Sequence, residues 1–255
     1  MDKTCRLDSF ERITLDEMED IRLMRRIDTK YILRSETLPH LLEILTTDYF
    51  IQQDALSGKR SFEYFTLYYD THDYAMYHSH QNGKLNRFKI RTREYCDSRC
   101  CFLEIKYKSN KGITRKIRID NNGSHSIDSA ASRTFIDTRS PYCSSLLEPK
   151  LESCYRRVTL VNKDKTERLT IDNDLEFQNI HTGKTVQLPR LTIIEIKKER
   201  CHPSLIEQKM KQLHITPYKI SKYCLGTALT DPEIKHNAIK RKAIYIHKIT
   251  DFIYG

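Results

Sequence analysis

The chain has 255 residues, 38% hydrophobic and 31% charged, which allows a packed core and lies well short of a disordered composition. Lysine and arginine number 44 against 34 aspartates and glutamates, a formal charge of +10 that favours anionic partners: phosphorylated small molecules, nucleic acid or an anionic membrane surface. No stretch approaches the roughly 18 consecutive apolar residues of a membrane helix, and Met1 to Asp20 holds no apolar signal core, so the eight cysteines read as reduced thiols in a cytoplasmic compartment.

Thr14 and Glu17 form a capping-box pattern opening a helix with Leu15, Met18 and Ile21 on one stripe, ending near Arg25. Ile27 to Leu33 reads as a strand. Ser35 to Tyr49 reads as a helix, with Leu38, Leu41, Leu42 and Leu45 at helical spacing and Pro39 in its first turn. Phe62 to Tyr69 is an aromatic-rich strand, and Asp70 to Lys84 turns through a short helix. Between Arg87 and Ile119 lie three strands, RFKIRTREY, CFLEIKYKS and TRKIRI, the last two joined by a turn at Asn110 to Gly112. Asn121 to Pro149 reads as loops and short helices. Cys154 to Asn162 and Glu167 to Phe177 are strands around a turn at Lys163 to Lys165, and Leu191 to Lys198 is another. Pro203 to His214, Lys219 to Leu229 and Glu233 to Phe252 are helices. The expected fold is α+β: a mainly antiparallel sheet closing into a barrel, flanked by helices, in one domain spanning 1–255.

The strands share a charge pattern. Side chains two apart on a strand share a face. Arg91 with Arg93, Glu104 with Lys106, Lys116 with Arg118, Tyr155 with Arg157, and Glu195 with Lys197 therefore pair on faces. Phe88, Ile90, Leu103, Ile105, Tyr107, Ile117 and Ile119 supply the opposite faces of the first three. The cations Lys30, Arg91, Arg93, Lys106, Lys116, Arg118, Arg157, Arg168 and Lys197, with Lys219 and Lys222 beyond, stand against two carboxylates, Glu104 and Glu195. Solvated surface charge explains any one pair. Lining a lumen, the set would repel itself unless a dense anion filled it, and a chain of phosphates meets that need. Glu104 and Glu195 are then candidate ligands for Mg²⁺ or Mn²⁺ bridging phosphate oxygens, the alternative for each being an ion pair.

Other patterns are weaker. Gly183-Lys184-Thr185 ends like a phosphate-binding loop, but position 178 is Gln, and a hairpin turn is the better reading. Cys96, Cys100 and Cys101 lack a zinc spacing, and His72, His78 and His80 have turn-like flanks that suit surface roles. An RNA-binding protein would need aromatics among its cations, whereas Phe88 and Tyr107 fall opposite them, so no nucleic-acid partner is expected.

The blocks LYYDT…YHSHQNGKLNRFKIRTREY, LEIKYKSNKGITRKIR, YRR…ERLTID, IIEIKK and KISKYCLG, in this order between about Arg25 and Gly226, resemble the vacuolar transporter chaperone (VTC) domain, the polyphosphate polymerase domain among the triphosphate tunnel metalloenzymes. The resemblance implies a tunnel of about eight antiparallel strands. It also implies transfer of the γ-phosphate of ATP to growing inorganic polyphosphate with a divalent metal, typically manganese. By position, the family's phosphate-binding residues fall on Lys30, Arg91, Arg93, Lys106, Lys116, Tyr155, Arg157, Arg168, Lys219, Ser221 and Lys222, and its metal-binding glutamate on Glu195. Arg91, Arg93, Lys106, Lys116, Arg157 and Arg168 are then the expected catalytic set. Lys30, Arg118, Tyr155, Lys197, Lys219, Ser221 and Lys222 would bind substrate, and Glu195 with Glu104 the metal. Fungal members add a regulatory domain and membrane spans, and neither is expected here. A membrane protein at the inner face of a membrane is one partner the basic character would suit. Asp28-x-Lys30, where the hydrolytic tunnel enzymes have ExExK, favours the polymerase branch. A triphosphatase, a nucleotidyl cyclase and a non-catalytic polyphosphate-binding module are the alternatives.

Overall fold

The computed structural model describes residues 7–19, 26–199 and 202–250. The expected helix end near Arg25 and the last turn to Phe252 lie outside them. Among the described residues eleven strands occur: β1 (Glu11–Ile13), β2 (Arg26–Arg34), β3 (Tyr49–Gln52), β4 (Phe62–Thr71), β5 (Arg87–Tyr95), β6 (Cys100–Lys108), β7 (Thr114–Asp120), β8 (Leu147–Asn162), β9 (Glu167–Asn179), β10 (Thr185–Leu188) and β11 (Leu191–Glu199). The α-helices are α1 (Leu15–Glu19), α2 (Leu38–Leu45), α3 (Ala75–Gln81), α4 (Ala130–Arg139), α5 (Leu205–Gln212), α6 (Lys222–Thr230) and α7 (Asn237–Thr250). None of them is long and apolar enough to cross a membrane. The chain divides into two units, each assembled from distant segments.

One unit draws on the segments up to Phe62, Arg156–Leu175 and Leu188–Lys219. Its central strand β11 runs antiparallel to β2 and to β9, with Glu195 opposite Lys30 and Thr170, and Lys197 opposite Arg168. The alternate residues Leu169, Ile171, Ile194 and Ile196 are buried and meet Leu38, Leu41, Leu42 and Leu45 of α2. Each such leucine contributes about 2 kcal/mol by leaving water, so register is strongly set: slipping by one residue would turn every apolar side chain outward. The capping box forms as expected, Glu17 accepting from the Thr14 backbone N–H and hydroxyl at 2.7 Å each. The predicted helix to Tyr49 stops at Leu45, because Tyr49 is fully buried in β3 and donates its hydroxyl proton to the buried Glu167. Strand β3 also pairs in parallel with β1, a short element with too few residues to show a period.

The second unit comprises Glu63–Tyr155, Glu176–Gln187 and the segment from Ile220 onward. Strands β4 to β7 form an antiparallel meander in which Tyr68, Arg91, Glu104 and Arg118 stand side by side. Ile90, Leu103 and Ile105 are buried behind them against Ile136 of α4. Asp70, at the end of β4, caps α3 by accepting the Met76 and Tyr77 backbone N–H groups at 2.9 Å, and accepts the Tyr223 hydroxyl of α6 at 2.5 Å. Helix α6 is buried almost throughout and packs closely because of Gly226, where a Cβ would fall 2.6 Å from Leu151 and from Phe177. Strands β9 and β10 form a hairpin whose connection includes Gly183, with φ +68°, and Lys184, and Thr185 opens β10, so this is a hairpin as expected.

The expected closure into a barrel is not made. Strand pairing follows the order β2-β11-β9-β8-β4-β5-β6-β7 and ends there; among the described residues β7 has no second neighbour and β2 pairs only with β11. The sheet is α+β and antiparallel along this path, but open. The reason is visible in β7, which is exposed along most of its length. Ile117, expected to back the core, is 40% exposed. Arg115, Lys116 and Arg118 make β7 a charged edge of the kind that resists further pairing.

Candidate functional site

The predicted residues lie on two strand faces, one in each unit. In the second unit, β5 turns Lys89, Arg91 and Arg93 to one side while Ile90 is buried on the other. Arg91 donates from Nε and Nη2 to Glu104 Oε2 at 2.9 and 2.6 Å, and Lys116 Nζ donates to Glu104 Oε1 at 2.8 Å. Glu104 is only 1% exposed. Burial would raise its pKa, but Arg91, Arg93 and Lys116 together hold the carboxyl well below the usual range. Arg93 is buried, donates from Nε to Thr66 Oγ1 at 3.3 Å, and lies 5.8 Å from the Tyr64 ring centroid. Arg118 stacks over Phe102 at 4.2 Å.

Two register positions along, on the same face, Lys89, Lys106 and Lys116 stand directly opposite one another on β5, β6 and β7. Like charges in that relation repel; the Glu104–Lys116 pair offsets part of the cost, and an anion over the row would offset more. Lys89 Nζ donates to Ser221 Oγ at 2.8 Å, and Lys222 Nζ lies 4.2 Å above the Tyr155 ring, which stacks on Tyr64. Tyr155, Ser221 and Lys222 thus join this face.

In the first unit the face is built on β11 and its neighbours. Glu195 sits 3.6 Å from Lys30 Nζ and 3.7 Å from Lys197 Nζ, close enough for attraction but beyond hydrogen bonding. Arg157 makes a two-pronged pair with Asp172, Nε to Oδ1 at 2.6 Å and Nη2 to Oδ2 at 2.7 Å. Arg168 donates from Nη2 to the Met18 carbonyl at 3.2 Å. Lys219 is exposed at the end of this unit.

Three features escaped the sequence reading. Lys89 was passed over although it stands two residues before Arg91, the spacing that selects Arg91 and Arg93. Asp172 is absent from the charge count above; it is the buried partner of Arg157, 2% exposed. Tyr64 and Tyr68, to which the sequence reading gave no role, lie beneath Arg93 and Arg91, and Tyr155, expected on the cationic face, lies beneath Lys222. These rings come from β4 and β8, so only strand pairing could bring them there. They are 8%, 3% and 3% exposed, and so present little open ring surface for base stacking.

A divalent metal suits one of the two carboxylates better. Both Glu104 oxygens already accept hydrogen bonds from cations and its side chain is 1% exposed, whereas the Glu195 side chain is 15% exposed and so more open to an incoming ion. Among the described residues no three His, Cys, Asp or Glu side chains converge. That is compatible with a metal held by one carboxylate and otherwise by phosphate oxygens and water, the usual manner for Mg²⁺ at phosphate sites.

Comparison with known proteins adds the family. No curated protein matches the sequence. Solved structures that align include one of a Hippeastrum protein described as an adenylyl cyclase with a dominant triphosphatase activity, at TM-score 0.48 and 16% identity, covering 80% of this chain and 95% of that one. A Pyrococcus horikoshii protein aligns at TM-score 0.45 and 13% identity, covering 86% and 99%. A conserved hypothetical protein from Pyrococcus furiosus aligns at 0.43 and 11%, covering 78% and 99%. The family model described as the VTC domain matches residues 25–230. That match spans most of the sequence, and the chain belongs to the VTC domain family.

Proposed function

We propose that this protein is a metal-dependent phosphotransferase that moves the γ-phosphate of ATP onto a growing chain of inorganic polyphosphate. The observation that carries the reading is the opposed row Lys89–Lys106–Lys116 beside the buried Glu104, which Arg91 and Lys116 both contact. Glu104 offsets part of this positive charge through Lys116, and a polyanion laid along the row would offset more. Membership of the VTC domain family supports the same chemistry.

In this mechanism Arg91, Arg93, Lys106 and Lys116 on one face, and Arg157 and Arg168 on the other, bind and neutralise phosphate oxygens. Lys30, Arg118, Tyr155, Lys197, Lys219, Ser221 and Lys222 support the chain. Glu104 and Asp172 hold Arg91 and Arg157 in place, which limits the rearrangement needed as charge shifts. Glu195 would hold Mn²⁺ or Mg²⁺ together with phosphate oxygens, and the metal would supply charge neutralisation. The terminal phosphate oxygen of the polymer attacks the γ-phosphorus; the bond from that phosphorus to its bridging oxygen breaks, and ADP departs with the electron pair. No side chain is needed as a covalent nucleophile. The proposal places the activity in the cytoplasm, with a membrane protein at the inner face of a membrane as a further partner.

The test is purified protein with γ-labelled ATP and Mn²⁺, the products resolved on a polyphosphate-stained gel. Labelled polymer is expected. Orthophosphate alone would make it a triphosphatase, cyclic nucleotide a cyclase, and tight anion binding without product a binding module; each would overturn the polymerase reading.

A further inference from the structure

The Lys89–Ser221 hydrogen bond has a chemical consequence for the hydroxyl. A serine hydroxyl offers one proton and two acceptor lone pairs. Ser221 Oγ accepts from Lys89 Nζ at 2.8 Å and from the Cys224 backbone N–H at 3.4 Å, the second bond capping α6. Both acceptor positions are thereby engaged by donors that cannot reverse their role, since an ammonium and a backbone N–H only donate. What remains to Ser221 is its own proton, for which the neighbouring Cys224 sulfur is only a weak acceptor.

We infer that Lys89 is a positioning residue that makes Ser221 an obligate hydrogen-bond donor to a phosphate oxygen. The same residue has a second connection to the anion: it opens the opposed row Lys89–Lys106–Lys116, so its charge is placed where phosphate is needed. Two independent features thus converge on Lys89, one polar contact and one register position, and the family resemblance assigns it neither. Without Lys89 the Ser221 hydroxyl regains a lone pair, can rotate, and no longer discriminates in favour of an acceptor. This inference rests on the phosphate-binding reading, but the experiment separates the two.

The assay is calorimetric binding of tripolyphosphate without metal to the full chain, alongside thermal melts and circular dichroism. Lys89→Met and Ser221→Ala are each expected to weaken binding about 10- to 100-fold, the range for losing a hydrogen bond to a charged group. The double variant should lose less than the product of the two single losses, because Lys89 acts partly through Ser221. A Lys89→Met protein that melts normally and binds tripolyphosphate unchanged would overturn the inference, as would strictly multiplicative losses. If the unaltered chain fails to bind tripolyphosphate, it is the phosphate-binding reading itself that fails. Should Lys89→Met not fold, Lys89→Gln gives the same comparison with a neutral side chain that can still donate to Ser221; it should keep most of the Ser221 contribution while losing that of the charge, and an unchanged affinity would again refute the inference.

Discussion

Replacing Glu104 with Gln tests the charge balance of the second unit's face. The side chain is 1% exposed and joins Arg91 at 2.6 Å and Lys116 at 2.8 Å. Removing one partner of a buried ion pair costs about 3–5 kcal/mol, because the remaining charge is left in a poorly solvated place. Lys116 is 38% exposed and can turn to water, so most of the loss falls on Arg91, 15% exposed. Glutamine keeps one acceptor oxygen, which recovers part of this, and a net loss of about 2–3 kcal/mol remains. For a chain of this size that lowers the melting temperature by about 4–12 °C. The cations left uncompensated should then be satisfied from outside: tripolyphosphate should raise the melting temperature of the variant more than that of the unaltered protein. The pH dependence follows from the direction of the pKa shift. The folded carboxyl ionises below its ordinary range, so between the folded and unfolded values the unfolded chain binds more protons. The Glu104 contribution is therefore complete at neutral pH and is lost as pH falls below about 5, where an unfolded glutamate begins to protonate. Differential melts across pH 3 to 7 should show the two proteins converging toward the acid end. A variant that melts within about 1 °C of the unaltered protein at pH 7 would refute this account of Glu104.

Three further outcomes are expected. Glu195→Gln, at a side chain 3.6 Å from Lys30 and 3.7 Å from Lys197, should lower metal-dependent product formation by at least about 100-fold while moving the melting temperature by less than about 2 °C, measured by product gel and melt on one preparation. Tyr223→Phe removes the hydroxyl donated to the fully buried Asp70 and should cost about 1–3 kcal/mol in urea unfolding; an unchanged midpoint would show the bond to be dispensable. Gly226→Ala adds a methyl 2.6 Å from Leu151 and Phe177, and this overpacking, about 1–3 kcal/mol, should outweigh the ~1 kcal/mol that alanine gains in a helix, so the urea midpoint should fall rather than rise.

The two-residue alternation of RFKIRTREY and LEIKYK was sufficient to place Arg91, Arg93, Glu104, Lys106 and Lys116 on faces opposite Ile90, Leu103 and Ile105, because pleating is a local property of an extended backbone. The capping box at Thr14 and the stripe of leucines in α2 were legible for the same reason: each depends on neighbours a few positions away. Local pattern carried no information about which distant groups would meet. The pairing of Arg157 with Asp172, the seating of Tyr64 and Tyr68 beneath Arg93 and Arg91, and the bond from Lys89 to Ser221 each join residues from different strands or from strand and helix. The open pairing path was likewise a tertiary outcome, since an amphipathic strand such as β7 reads the same whether its far edge is paired or faces water. Alternation along one strand tells which side a charge takes; only register and pairing between strands decide what that charge will touch.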